Sequence, residues 1–151
     1  MVTVSLCMIV KNEEDVLARC LDSVKDLVDE IIIVDTGSKD RTKEIVHTYT
    51  DNVFDFVWID DFAAARNFAF SKAKCMYCMW LDADDVILPK DQEGFQRLKE
   101  TLSPETDMVM MKYHTAFDSS GKPTFSYYRE RFIANHKGYQ WVGAVHEIIP
   151  P

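Results

Sequence analysis

Four short apolar runs fall within the first 81 residues, and each ends in acidic or amide side chains. The runs are Val2 to Val10, Glu30 to Asp35, Val53 to Trp58 and Tyr77 to Leu81. Each is too short for a buried helix and rich in β-branched or aromatic residues, so each reads as a buried strand. Between them lie segments of helical period. Val16, Leu17, Cys20, Leu21 and Val24 share one face of the first. Ile45, Val46 and Tyr49 share a face of the second, which Ser38 or Asp40 can cap. Phe62 to Lys74 is Ala-rich and helical, and Gln92 to Leu102 after Pro89 reads as a fourth helix. Continuous apolar strands joined by amphipathic helices imply an α/β fold, a mostly parallel sheet with helices on both faces. The pattern changes after about residue 105. Met108 to Phe117 and Thr124 to Ala134 flank the turn formers Asp118-Ser119-Ser120-Gly121-Lys122-Pro123, which predicts a short antiparallel addition. One domain over residues 1–151 is expected, with an α/β half to about residue 105 and the start of an antiparallel half from 106.

An open parallel sheet binds ligands at the carboxyl ends of its strands. Here those ends carry Lys11-Asn12-Glu13, Asp35, Asp60-Asp61 and Asp82-Ala83-Asp84-Asp85. In an extended segment Asp82 and Asp84 would point the same way. Two neighbouring carboxylates repel, so a hard cation such as Mg²⁺ or Mn²⁺, or a hydroxyl-rich ligand, is needed to settle them. A solvated acidic turn is the plain alternative for an isolated Asp-x-Asp, but this one closes an apolar strand. With only five glycines and neither GxxxxGK[ST] nor GxGxxG after a strand, the chain has no Gly-rich phosphate cradle. The formal net charge of -8 argues against non-specific nucleic-acid binding, which needs Lys/Arg clusters.

The run Val4 to Val10 is too short to span a bilayer and has no basic leader before it. Cys75 and Cys78 have CxxC spacing, but the pair runs into an apolar strand, and Cys7 and Cys20 supply no matching second pair for zinc. Four free, reduced thiols and a cytoplasmic location are expected. Any membrane-surface association would have to come from regions outside these residues. Glu147-Ile148-Ile149-Pro150-Pro151 reads as neither helix nor natural tail, so the chain is expected to be a fragment of something longer.

Four ordered blocks carry a resemblance. They are Ser5-Leu6-Cys7-Met8-Ile9-Val10-Lys11-Asn12-Glu13-Glu14, Ile33-Val34-Asp35-Thr36-Gly37-Ser38-Lys39-Asp40-Arg41-Thr42, Ala65-Arg66-Asn67 and Leu81-Asp82-Ala83-Asp84-Asp85. Together they resemble family 2 glycosyltransferases of the GT-A fold, a Rossmann-type sheet. Val145-His146-Glu147 is similar to a later motif of a bacterial subgroup. The resemblance implies an inverting transfer from a nucleotide-diphosphate sugar, a UDP-sugar first, to a glycan, lipid-linked or protein acceptor. It implies that Asp35 accepts a hydrogen bond from the base, that Val10 to Asn12 and Glu13 line the nucleotide pocket, and that Asp82 accepts from the ribose. It implies further that Asp84 and His146 hold Mn²⁺ or Mg²⁺, that Arg66 adds positive charge near the nucleotide, that Asn67 orients the loop, and that Glu147 is the general base. Thr36 stands where many relatives carry a second aspartate.

The residues alone leave alternatives open at these positions. Arg66 could instead pair with Asp60 or Asp61 on the surface. Glu13 and Glu14 could be first-turn helix residues favoured by the dipole. His146 and Glu147 could lie in an exposed turn. Two other functions also fit acidic strand ends: a sugar-phosphate nucleotidyltransferase, which would want a Gly- and Arg-rich loop where Lys11-Asn12-Glu13-Glu14-Asp15 stands, and a nucleotide-sugar-binding module without turnover.

Overall fold

The computed structural model describes residues 1–145 and 147–150. The elements run β1 (Val4–Val10), α1 (Leu17–Val24), β2 (Glu30–Asp35), α2 (Thr42–Val46), β3 (Val53–Asp55), α3 (Phe62–Phe70), β4 (Tyr77–Met79), α4 (Pro89–Thr101), β5 (Met108–Phe117) and β6 (Pro123–Ala134). They form one six-stranded sheet in the order β3-β2-β1-β4-β6-β5. β1 pairs in parallel with β2 and β4, and β2 with β3. β6 runs antiparallel to both β4 and β5. The expected α/β fold and the antiparallel addition are both present.

The pleat of β1 explains its wholly apolar sequence. Val4, Leu6, Met8 and Val10 join Leu17, Cys20, Leu21 and Val24 of α1, Val46 of α2 and Phe95 of α4 on one face. Cys7 points to the other face with Ile32, Val34 and Ala69, where α3 lies. A strand buried on both faces cannot show polar alternation. Lys99, almost fully buried, fastens α4 to the body by donating to Leu27 O at 2.8 Å and Asp29 Oδ2 at 2.9 Å.

Several boundaries differ from the sequence reading. β3 stops at Asp55 because its partner β2 stops at Asp35. One more ladder bond, Phe56 N–H to Asp35 O at 2.9 Å, follows before the chain turns away. β4 ends at Met79, though Trp80 and Leu81 stay buried. α3 ends at Phe70 instead of Lys74. α2 is a single turn beginning at Thr42, and Asp40 supports its start by accepting from the Thr42 amide at 2.9 Å. Ser38 does not cap it; its hydroxyl accepts from the Asn12 amide. Cys7, Cys20, Cys75 and Cys78 are free thiols. Among the described residues, no helix is long and apolar enough to cross a membrane.

Candidate active site

The segment after β4 is a closed turn, not the extended stretch expected from spacing. Asp85 N–H donates to Asp82 O at 2.9 Å. The Asp85 carboxylate in turn accepts the Asp82 N–H at 2.8 Å. These reciprocal bonds close residues 82–85 into a loop with Ala83 buried beneath it. Asp84 is exposed at the tip, and Asp82 is half-exposed. Both still line one cleft of about 630 Å³, with Val10, Lys11, Glu13, Thr36, Trp58, Arg66 and Glu147.

α3 forms the opposite wall. Asp61 caps it by accepting from Ala64 N–H at 3.1 Å. Its first turns hold the distant segment 141–147 at three points. Phe62 N–H donates to Ala144 O at 3.0 Å. Asn67 donates to Trp141 O at 3.1 Å and accepts from Trp141 N–H at 2.7 Å. Arg66 donates through Nε to Glu147 Oε1 at 2.7 Å and through Nη2 to Asp82 Oδ1 at 2.8 Å. Its guanidinium lies 4.7 Å from the Trp80 ring centroid and 5.0 Å from that of Trp141. Asp60 instead accepts from the Trp58 indole at 2.9 Å. Arg66 is therefore no surface ion pair with Asp60 or Asp61. It is a buried bridge between the acidic turn and Glu147, and Asn67 orients the segment that carries Glu147.

At the same carboxyl edge, beside Val10, Asp35 is buried and is not among the residues that line the cleft. Its Oδ1 accepts from Gly37 N–H and Ser38 N–H, both at 2.8 Å. Gly37 has φ 120°, a conformation that favours glycine there. Asp35 Oδ2 is buried with no partner among the described residues. A buried acceptor left unmet costs about 1–3 kcal/mol, so the arrangement favours a ligand that brings a donor. Thr36 spends its hydroxyl on Val10 O at 3.2 Å. Asn12, at φ 52°, accepts from Lys39 N–H at 2.7 Å, so its side chain fixes the loop after β2. Its neighbours Val10 and Lys11 face the cleft. Glu13 lines the cleft as well, and its amide donates to the Thr42 hydroxyl at 2.8 Å. Burial, then the nearby Asp84 and Asp82, push the Glu13 carboxyl above the usual carboxylate range.

The cleft thus concentrates negative charge around an exposed Asp84. Among the described residues no group of three or more His, Cys, Asp or Glu side chains forms a ready metal cage. His146, the second expected metal ligand, lies outside the described residues. Asp84 nonetheless fits a hard cation of the kind held by one or two carboxylates together with substrate phosphates.

A second cavity of about 780 Å³ lies between α4, the 84–88 loop and β5, and shares Asp84. It is more apolar and contains none of Glu13, Arg66, Asp82 or Glu147. The smaller cleft therefore holds the convergent polar groups of a reaction site. Sequence reasoning missed Trp58, Trp80 and Trp141, and the arginines of β6. Arg129 donates to Glu147 O at 3.3 Å and sits 4.9 Å from the Trp80 centroid. The available signal was Arg129-Glu130-Arg131 interrupting an otherwise apolar strand end.

Comparison with known proteins shows the family of the chain. Residues 5–146 match the family described as Glycosyl transferase family 2. Over 88 residues the chain is 49% identical to a TPR repeat-containing protein of Synechococcus elongatus, covering 58% of this chain and 22% of that protein. It is 29% identical over 158 residues to a Bacillus subtilis protein carrying the glycosyltransferase name EpsH, covering 91% of this chain and 45% of the relative. The chain thus spans less than half the length of either relative. The fold is shared with glucosyl-3-phosphoglycerate synthase of Mycobacterium tuberculosis, solved with Mn²⁺ and uridine-diphosphate-glucose. That likeness has a TM-score of 0.50 at 22% identity and covers 56% of this chain and 34% of that one. With a match across nearly its whole length and its acidic turn at the carboxyl end of β4, the chain belongs to glycosyl transferase family 2.

Proposed function

We propose that the chain is the donor-binding and catalytic part of an inverting glycosyltransferase that uses a UDP-sugar and a divalent cation. The observation that carries this reading is the convergence of Asp82, Asp84 and Glu147 on one cleft, with Arg66 bonded to both Asp82 and Glu147. The family membership supports the reaction class, and the Mn²⁺ and UDP-glucose bound by the structural relative support the donor and the cation. The sugar-phosphate nucleotidyltransferase alternative gives way to the family match.

Each residue has a task with a physical reason. Asp35 Oδ2, a buried acceptor without a partner among the described residues and next to the cleft-lining Thr36, is suited to the N3–H of uracil. Val10 and Lys11 form the neighbouring wall. Asp82 gives Oδ1 to Arg66, which leaves Oδ2 to accept from ribose hydroxyls. Asp84 holds the cation together with the donor's diphosphate. When bound, that cation stabilises the negative charge that grows on the departing nucleotide diphosphate. Glu147 is fixed through Oε1 by Arg66, so Oε2 is the oxygen that takes the proton from the acceptor hydroxyl. The hydroxyl oxygen then attacks the sugar's anomeric carbon opposite the leaving group, which inverts the configuration there.

Calorimetric titration of UDP, UDP-glucose and GDP, each with Mn²⁺ and with EDTA, tests the donor. UDP binding tighter than GDP, and tighter with Mn²⁺ than with EDTA, is expected. Tighter GDP binding would overturn the uridine assignment. Equal affinity in EDTA would overturn the cation.

A further inference from the structure

The third aspartate of the acidic turn faces away from the cleft. Asp85 is buried at 8% exposure, and Arg131 of β6 is buried at 5%. One Asp85 oxygen, Oδ2, accepts the Asp82 N–H and faces Arg131 Nη1 at 3.5 Å. The same Nη1 donates to Trp80 O at 3.1 Å. The guanidinium carbon lies 3.9 Å from the Trp80 ring centroid and 4.9 Å from that of Tyr113. Arg131 therefore grips the chain at both ends of the 80–85 segment, at a backbone carbonyl before the turn and at a carboxylate that closes it.

We propose that Arg131 and Asp85 are a positioning pair, which holds Asp82 and Asp84 in the shape that receives the donor's diphosphate and its cation. Neither residue binds donor or cation itself. This rests on the donor reading above, but its structural core does not. Three aspartates within four positions would repel one another. Arg131 neutralises the one that turns inward, so it can stay buried and hold the Asp82 amide. The cleft then presents two carboxylates at fixed positions. Lysine cannot replace this arginine, because an ammonium has no planar fork to lie against the Trp80 and Tyr113 rings while meeting two acceptors. Residues that hold a metal ligand in place typically matter by about 10–100-fold in metal affinity.

The test compares wild type with Arg131→Lys, Asp85→Asn and the double variant Arg131→Gln/Asp85→Asn. Asp85→Asn keeps an oxygen for the Asp82 amide, and adding Arg131→Gln leaves no uncompensated charge. The first measurement is hydrogen exchange at the Asp82 and Asp85 amides, with the amides of β1 as internal reference. Each single variant should speed exchange in the turn by about tenfold, the order expected when one buried hydrogen-bond support is lost, while β1 is unchanged. The double variant should restore most of the protection. The second measurement is UDP affinity with Mn²⁺ and with EDTA. Arg131→Lys should lose on the order of tenfold or more of the Mn²⁺-dependent gain and keep its EDTA affinity. A purely structural defect would weaken both. Unchanged turn exchange in both single variants overturns the proposal. So does a double variant as defective as Asp85→Asn in Mn²⁺-dependent binding, because Asp85 would then be a ligand. Altered exchange in a protein whose wild type shows no Mn²⁺-dependent UDP binding overturns the donor reading and leaves the positioning pair standing.

Discussion

The parallel region from β1 to β4 and the antiparallel hairpin β5–β6 use strands in opposite ways. β1 has six of its seven residues buried. β5 has none, and β6 is buried only over its last five residues, where it lies beside β4. The outer hairpin leaves Phe117, Phe125 and Tyr128 more than half exposed. The parallel region sets the sheet and delivers the acidic turn. The inner part of β6 supplies the partly buried Arg129 and the buried Arg131, which both lie against Trp80, and Arg131 also meets the turn at Asp85. Site precision therefore comes from the seam between the two regions, and the hairpin tip contributes little to it.

Substitutions that separate core, seam and tip can break this comparison. Leu21→Ala removes a fully buried side chain packed between α1 and β1. It should lower unfolding free energy by about 4 kcal/mol in denaturant titration. A loss near zero would mean that the parallel region is not the stabilising core. Arg66→Ala leaves the largely buried Glu147 without its cation and removes the stacking on Trp80 and Trp141. It should cost about 3 kcal/mol, at the lower end for a broken buried pair because Asp82 is half-exposed. If Arg66→Ala keeps full stability, α3 does not clamp the 141–147 segment.

Glu13 gives a smaller, signed effect. Its carboxyl is raised by burial and by Asp84 and Asp82, so the folded state holds its proton to higher pH than the unfolded chain does. Stability linked to this group is therefore fullest at acid pH and falls as pH rises through its raised titration. Glu13→Gln should stabilise the ligand-free protein at pH 7 by about 0.5 kcal/mol or less, and the gain should vanish as pH falls toward 4. Thermal unfolding of both proteins across that range checks the sign; a gain that grows at acid pH would contradict it. Smallest of all, Tyr128→Ala on the exposed hairpin should change stability by less than about 0.5 kcal/mol. A larger loss by the same titration would show that the hairpin is packed as the core is.

The two regions also differed in how far they could be read from sequence. β1 and β2 were legible because a strand buried on both faces is apolar throughout, whatever its neighbours. Their carboxyl ends then placed Asp35, Asp82 and Asp84 at one edge by topology alone. The closed turn was not legible, since period-two reasoning carries no information about Asp85 folding back on the Asp82 amide. Arg66 was singled out from its motif, but its partner Glu147 lies 81 residues away, and only the packing of α3 on the C-terminal segment joins them. Asn12 follows the cleft-lining Val10 and Lys11, and nothing in the sequence signals that its side chain accepts from Lys39 N–H. Arg131 is not legible in sequence, because a strand arginine reads as solvated and its contacts with Trp80 and Tyr113 come only from packing.

The central claim is that Asp84 holds a cation against the donor's diphosphate. Calorimetry of UDP with Mn²⁺ and with EDTA, on wild type and Asp84→Asn, tests it most directly. Asp84 is exposed and not part of the core, so the variant should unfold at nearly the wild-type temperature. Wild type should bind UDP more tightly with Mn²⁺ than with EDTA. Asp84→Asn should lose that gain, at least the roughly ten- to hundredfold in metal affinity typical of damage to a metal site. Equal wild-type affinity in EDTA, or normal Mn²⁺-dependent binding by Asp84→Asn, would contradict the account.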